Sequence, residues 1–152
     1  MLRRKLAFVA LVLCAFGFCG TVAQASGVIT FQIEVLPGLT ISSPDQLSFG
    51  GVAPGQTVEK ELELTVWSNV KWKMLVKSID HMSGWLRGTI DVQDFGGTWH
   101  ELSTQMRPLL VDQDVTGPGG TDVQIPFRFT GSYDDTPGNY SFEVEFTVVP
   151  SL

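Results

Sequence analysis

His81 and His100 supply the only imidazoles in the chain, and both fall in or beside turns. A nucleophilic set can be written from Ser83, His81 and Asp80. However, a working triad needs the base held between nucleophile and orienting acid, and neighbours in sequence do not meet that geometry. There is no Gly-x-Ser-x-Gly, so each histidine reads as an exposed turn or strand residue. The carboxylates Glu59, Glu61 and Glu63, with Glu143 and Glu145, recur at every second position. A glycosidase needs two opposed carboxyl groups, whereas this spacing lays them along one solvated strand face, where charge protects an edge. Lys71, Lys73 and Lys77 mark the polar face of a further strand; ion pairs with a neighbouring Glu-bearing strand would set register more than stability. Acid and base groups nowhere cluster, so the sequence predicts neither an enzyme nor a cofactor.

Two binding chemistries deserve testing against plainer readings. Asp112, Asp114 and Asp122 surround the Gly117–Gly120 loop and are candidate calcium ligands, as are Asp134 and Asp135. Calcium takes six to eight oxygens, and the EF-hand spacing is absent; acidic loop residues ordinarily serve solubility. Trp85 and Trp99 sit in Gly-rich surroundings, where an exposed indole can stack on a sugar face, and Trp67, out of phase with Val66, would add to that surface. The plainer reading is that these tryptophans cover the ends of the core.

The elements that would position these groups are strands. Apolar residues alternate with polar ones at Ile29, Phe31, Ile33 and Val35; at Val58, Lys60, Leu62, Leu64 and Val66; at Val70, Trp72, Met74 and Val76; at Val123, Ile125, Phe127 and Phe129; and at Tyr140, Phe142, Val144, Phe146 and Val148. Period two with one apolar face is the mark of a half-buried strand, and the inward Lys60 can snorkel. Shorter candidates are Leu39–Ile41, Leu47–Phe49, Gly88–Val92, Trp99–Leu102 and Leu109–Val111. Pro37-Gly38, Pro54-Gly55, Gly96-Gly97, Gly117 to Gly120 and Pro137-Gly138 break the chain between them. Seven to nine short antiparallel strands at this spacing predict an all-β, two-sheet sandwich. A closed barrel is the rival architecture; an outer-membrane barrel is disfavoured by the charged Glu and Lys faces.

Arg3, Arg4 and Lys5, the apolar run Leu6 to Phe18, and Ala23-Gln24-Ala25 form the three regions of a cleavable signal peptide, residues 1–25. The run is too short to span a bilayer. Cys14 follows Leu13 and Cys19 follows Phe18, without the small residue that lipid attachment wants; both leave with the signal, and residues 26–152 hold no cysteine. Disulfides and thiolate metal sites are thereby excluded from the mature domain. That domain has seven basic and sixteen acidic residues, a net charge of −9, which disfavours nucleic acid and anionic lipid as partners. Its 127 residues suit one domain, and no second apolar segment anchors it to a membrane. The expected location is secreted, periplasmic or cell-surface.

Three stretches carry a resemblance. Leu47-Ser48-Phe49-Gly50-Gly51-Val52-Ala53-Pro54-Gly55-Gln56-Thr57, Val66-Trp67-Ser68-Asn69-Val70-Lys71-Trp72 and Pro137-Gly138-Asn139-Tyr140 resemble segments of bacterial secreted immunoglobulin-like domains of surface and adhesive type. The resemblance implies an immunoglobulin-like sandwich and a structural or adhesive role in the cell envelope. Within such a fold Trp72 would fill the middle, Asn69 would take a left-handed turn conformation, and Tyr140 would turn its hydroxyl to nearby backbone as a tyrosine corner does. The inter-sheet cysteines of antibody domains are missing, with Phe142 standing two residues after the tyrosine.

The favoured expectation is therefore an exported, non-enzymatic structural or adhesive module, with a sugar-binding module using Trp85 and Trp99 as the alternative. The stretch Val28 to Leu36 begins close to the expected mature terminus and ends at Pro37-Gly38. Its simpler reading is the first strand of its own sandwich; its other reading is a strand exchanged into a neighbour's sheet, giving self-association.

Overall fold

A computed structural model describes residues 30–79 and 86–151. The expected signal peptide, and His81, Ser83, Asp80 and Trp85, lie outside the described residues. The chain divides into a first unit, Met1–Glu34, and a second, Val35–Leu152.

The second unit is the predicted sandwich. Its strands are β1 (Leu39–Ser42), β2 (Thr57–Ser68), β3 (Trp72–Ser78), β4 (Thr89–Gln93), β5 (Trp99–Glu101), β6 (Arg107–Gln113), β7 (Thr121–Thr130) and β8 (Val144–Pro150). One sheet runs β1-β2-β7-β4-β5 and the other β6-β3-β8, with every pairing antiparallel. Alternation does what it should. Leu62, Leu64 and Val66 of β2, Trp72, Met74 and Val76 of β3, Ile90 and Val92 of β4, and Ile125 and Phe127 of β7 are buried between the sheets, while Glu59, Glu61 and Glu63 face solvent. Trp72 is only 1% exposed and keeps its indole N–H satisfied by donating to the Asp114 carbonyl at 2.9 Å, which lets a polar atom enter the core at little cost.

The turns follow the sequence cues. Gly55 takes φ +77° as Pro54-Gly55 delivers the chain into β2, and the Gly55 N–H donates to the Gly131 carbonyl at 2.8 Å. The Tyr140 hydroxyl donates to the Thr136 carbonyl four residues upstream, the expected tyrosine-corner contact. Beside it Asp135 ties the β7–β8 connection to the entry of β4. Its carboxylate accepts N–H groups from Arg87, from Gly88 at 3.0 Å and from Ser132 at 3.0 Å.

Several expectations are corrected. Residues 30–36 form no strand of this sandwich. Leu47 and Phe49 pack half-buried against the core without ladder pairing, because side-chain burial there needs no partner strand. The last strand begins at Val144, not Tyr140, the corner turn having taken the intervening residues. β3 begins at Trp72 rather than Val70. It also lies in the sheet opposite β2, so its lysine partner comes from β8, with Lys77 and Glu145 3.0 Å apart. Asn69 does not adopt a left-handed backbone; among the described non-glycine residues only Asp112 does, at φ +51°.

Trp72→Ala should destabilise the domain by about 3–5 kcal/mol, read from the denaturant midpoint, since it opens a cavity where the two sheets meet. Burial works to raise the Asp135 carboxyl, but the N–H groups of Arg87, Ser132 and Gly88 outweigh it and hold the group below its ordinary value of 3.8. A carboxylate depressed in the folded state stabilises at pH above its unfolded value and loses that contribution as pH falls through the folded one. Thermal melts should therefore show an acid-dependent loss below about pH 4 that Asp135→Asn diminishes; an unchanged acid limb would rule out this carboxylate as its source.

Candidate functional site

The two edges of the sandwich differ: main-chain hydrogen bonds tie the layers along one seam, while along the other the two sheets abut without a ladder. Along the first, the Phe95 N–H, in the β4–β5 turn, donates to the Leu109 carbonyl of β6 at 3.2 Å, and the Ser78 N–H of β3 donates to the Ser103 carbonyl at 2.8 Å. One main-chain hydrogen bond thus passes from the β4–β5 turn to a strand of the other sheet, and a second ties β3 to the β5–β6 connection. On the other side β1 ends the five-stranded sheet and β8 ends the three-stranded one. Among the described residues no ladder joins them, and each pairs along one edge only.

That seam is apolar. Leu39 and Ile41 on β1 and Val144, Phe146 and Val148 on β8 are half-buried, leaning on the core without being covered by it. Phe146 meets Phe127 edge-on, with ring centroids 6.2 Å apart. Every residue of β8 from Val144 to Val149 keeps partial exposure, in contrast to β3 beside it, whose alternate residues are sealed. A strand edge with free N–H and C=O groups above an apolar floor is a template for another strand.

The N-terminal segment has the matching character. Phe31, Ile33 and Val35 are 82%, 85% and 77% exposed, alternating with Gln32 and Glu34. Exposed apolar side chains at three successive alternate positions are unusual for a chain that has finished burying its surface. At its junction with the domain, Asn69 grips the backbone on both sides of Pro37. Its Nδ2 donates to the Leu36 carbonyl at 2.9 Å, and its Oδ1 accepts the Gly38 N–H at 2.7 Å.

The residues singled out for ligand binding do not assemble. Asp112 accepts from the Ser151 hydroxyl, Asp122 from the Thr65 hydroxyl, and Asp114 lies 3.6 Å from Lys71. The three carboxylates turn to three different partners, and among the described residues no group of three His, Cys, Asp or Glu is placed to hold a metal. Asp134 and Asp135 likewise form no such group, Asp135 being spent on backbone N–H groups. Trp99 is half-buried on the outer face of the five-stranded sheet, with the Arg128 guanidinium 4.5 Å from its ring centroid. Asp91 fixes that guanidinium at 2.7 Å, so the indole serves a cation–π stack. Trp67 packs across Gly120, where an added Cβ would stand 2.8 Å from its ring. His100 binds Asp94 at 2.8 Å inside the β4–β5 hairpin; the Thr98 N–H first, and His100 second, hold the Asp94 carboxyl below its ordinary value. The seam was not legible as a site: β8 alternates like any half-buried strand, and no residue type announces an edge that is unpaired among the described residues.

No protein-family model matches the chain, and no curated protein matches it in sequence. Among solved structures, the P pilus rod subunit PapA aligns with a TM-score of 0.51 at 16% identity, over 83% of this chain and 100% of that one. A chain from a chaperone–usher pilus, in a structure addressing rod uncoiling, aligns with a TM-score of 0.46 at 15% identity, over 86% and 99%. The likeness to the rod subunit is one of fold, and the fold is immunoglobulin-like.

Since Asp112, Asp114 and Asp122 are dispersed, millimolar calcium should leave the thermal midpoint unchanged; a rise that Asp112→Asn and Asp122→Asn abolish would restore a metal role.

Proposed function

We propose that the chain is an exported, non-enzymatic structural subunit of a cell-surface polymer, in which residues 30–36 of one copy complete the open seam of the next. The observation that carries this reading is the pairing of two unfinished surfaces. Phe31, Ile33 and Val35 stand exposed, while β8 presents an unpaired edge over Val144, Phe146 and Val148. The acidic signal-cleaved domain, the export signal read in the sequence and the sandwich fold shared with a pilus rod subunit all suit a structural role outside the cytoplasm.

In this reading the segment adds a fourth strand to the β6-β3-β8 sheet. Main-chain hydrogen bonds to β8 would supply affinity, and alternate side chains entering the seam would supply register. Each of Phe31, Ile33 and Val35 removed from water contributes about 1.5–3 kcal/mol, set against the entropy of ordering the segment. At their closest, Cα atoms of β1 and β8 come within 8 Å of each other. Two ladder spacings need about 9.6 Å, so a seated strand parts β1 from β8 as it enters. The sugar-binding reading gains no support from Trp99, whose ring is engaged by Arg128.

Light scattering of residues 26–152 across concentration should reveal assembled species. Deletion of residues 26–36 should leave a domain that no longer assembles and that takes up a synthetic peptide of residues 28–36. A truncated domain that folds without binding the peptide, or that fails to fold and is not rescued by it, would overturn the exchange reading.

A further inference from the structure

A subunit that carries both an arm and a groove has a competing option, which is to close on itself. The geometry at the root of the arm bears on that competition. Leu39 is opposite Ser68, and Trp72 is opposite Pro150, so the start of β1 and the C-terminal end of β8 lie at the same end of the sandwich, flanking the Ser68–Trp72 connection. An arm folded back from Leu36 into its own seam would have to run antiparallel to β1, as the second half of a hairpin closed at Pro37-Gly38.

Two features oppose that hairpin. Two-residue hairpin loops need type I′ or II′ geometry, with positive φ at the first central residue, and the proline ring locks Pro37 near −65°. Gly38, for its part, does not adopt positive φ. The second feature is Asn69. In a hairpin closed at Pro37-Gly38 the Leu36 carbonyl would accept from Leu39, but it already accepts the Asn69 side-chain N–H at 2.9 Å. The Asn69 side-chain Oδ1 accepts the Gly38 N–H at 2.7 Å, and the Asn69 backbone N–H donates to the Gly38 carbonyl at 3.3 Å. Three hydrogen bonds from one residue thus fix the backbone on both sides of Pro37, from the connection that joins β2 of one sheet to β3 of the other.

We propose that Asn69, by gripping the chain on both sides of Pro37, keeps the arm from closing on its own groove and so directs strand exchange to a second copy. The proposal rests on the assembly reading above. Asn69 is a positioning residue in this scheme: it lies at the end of the sandwich and touches no side chain of the seam among its hydrogen-bond partners.

The test compares residues 26–152 as wild type, as Asn69→Ala and as Pro37→Asn. The last creates Asn-Gly, the dipeptide that most favours a type I′ hairpin, without touching the core. Assembled fraction is read by light scattering, and groove access by binding of a fluorescent peptide of residues 28–36. Both variants should lose assembled species severalfold and yield monomers that exclude the peptide, because their own arm fills the seam. If Asn69→Ala does not fold, Pro37→Asn alone decides. Wild-type-like assembly by every folded variant would overturn the role of this clamp and leave the assembly reading standing. Variants that become monomeric yet still bind the peptide would also overturn it, since their grooves would be empty. A wild type that neither assembles nor has a groove able to take the peptide after arm deletion would instead overturn the assembly reading itself.

Discussion

Hydrogen-bonding capacity along β8 that the other described residues leave unused is the constraint on which the other features turn. Backbone N–H and C=O groups are obligatory partners in a folded interior, and an apolar ladder half in water is a surface the chain has not finished burying. Val144, Phe146 and Val148 lie on a strand that couples these two deficits, as Leu39 and Ile41 do on β1 across the seam. The opposite seam shows what completion looks like: there the Phe95 N–H reaches β6, the Ser78 N–H reaches the β5–β6 connection, and Leu102 and Leu109 beneath are sealed. The contrast between the seams belongs to one fold with one core, so it is a property of which strands the chain contains rather than of poor packing.

The site's surroundings hold the rest of the domain still. Trp72 joins the layers and reaches the Asp114 carbonyl, Asp135 pins the loop that leads to β8 against the entry of β4, and the Tyr140 hydroxyl holds the corner just before that strand. Charge plays a supporting part. The outward lysine of β3 meets Glu145 of β8, and Arg128 is shared by Asp91 and the Trp99 ring. Such exposed or half-exposed pairs add little stability, but they fix neighbouring strands in register on faces where hydrophobic burial cannot do so.

How much of this was legible in the sequence depends on the range of the interaction responsible. Alternation at Leu62, Leu64 and Val66 or at Ile125 and Phe127 is local, and it gave both strand and inward face correctly. The corner at Tyr140 and the turn at Pro54-Gly55 were equally local. Asn69 was singled out for the right place and the wrong reason, since its side chain, reaching a segment thirty-one residues away, does the work that a left-handed backbone was expected to do. The aspartates near Gly117–Gly120 are close in sequence, yet they are divided between two sheets and a loop by pairing that no spacing rule reveals. Phe31, Ile33 and Val35 alternate as a strand would, yet residues 30–36 form none, since period two states only that one face wants burial. It does not state whose sheet will provide it.

The far edge of the three-stranded sheet is built differently from β8. β6 pairs with β3 through register shifts at Trp72/Met74 and Met74/Leu75, carries Pro108 within it, and kinks at Asp112 with φ +51°; a bulged edge lacking one N–H is a poor template for strand addition. In the vocabulary of polymer chemistry, the assembly proposed above would give each molecule a functionality of two, one donor end and one acceptor end, and the ends would differ. Monomers of that kind cannot branch or cross-link through these groups. They give a linear chain with a direction, whose two termini are chemically distinct at every length.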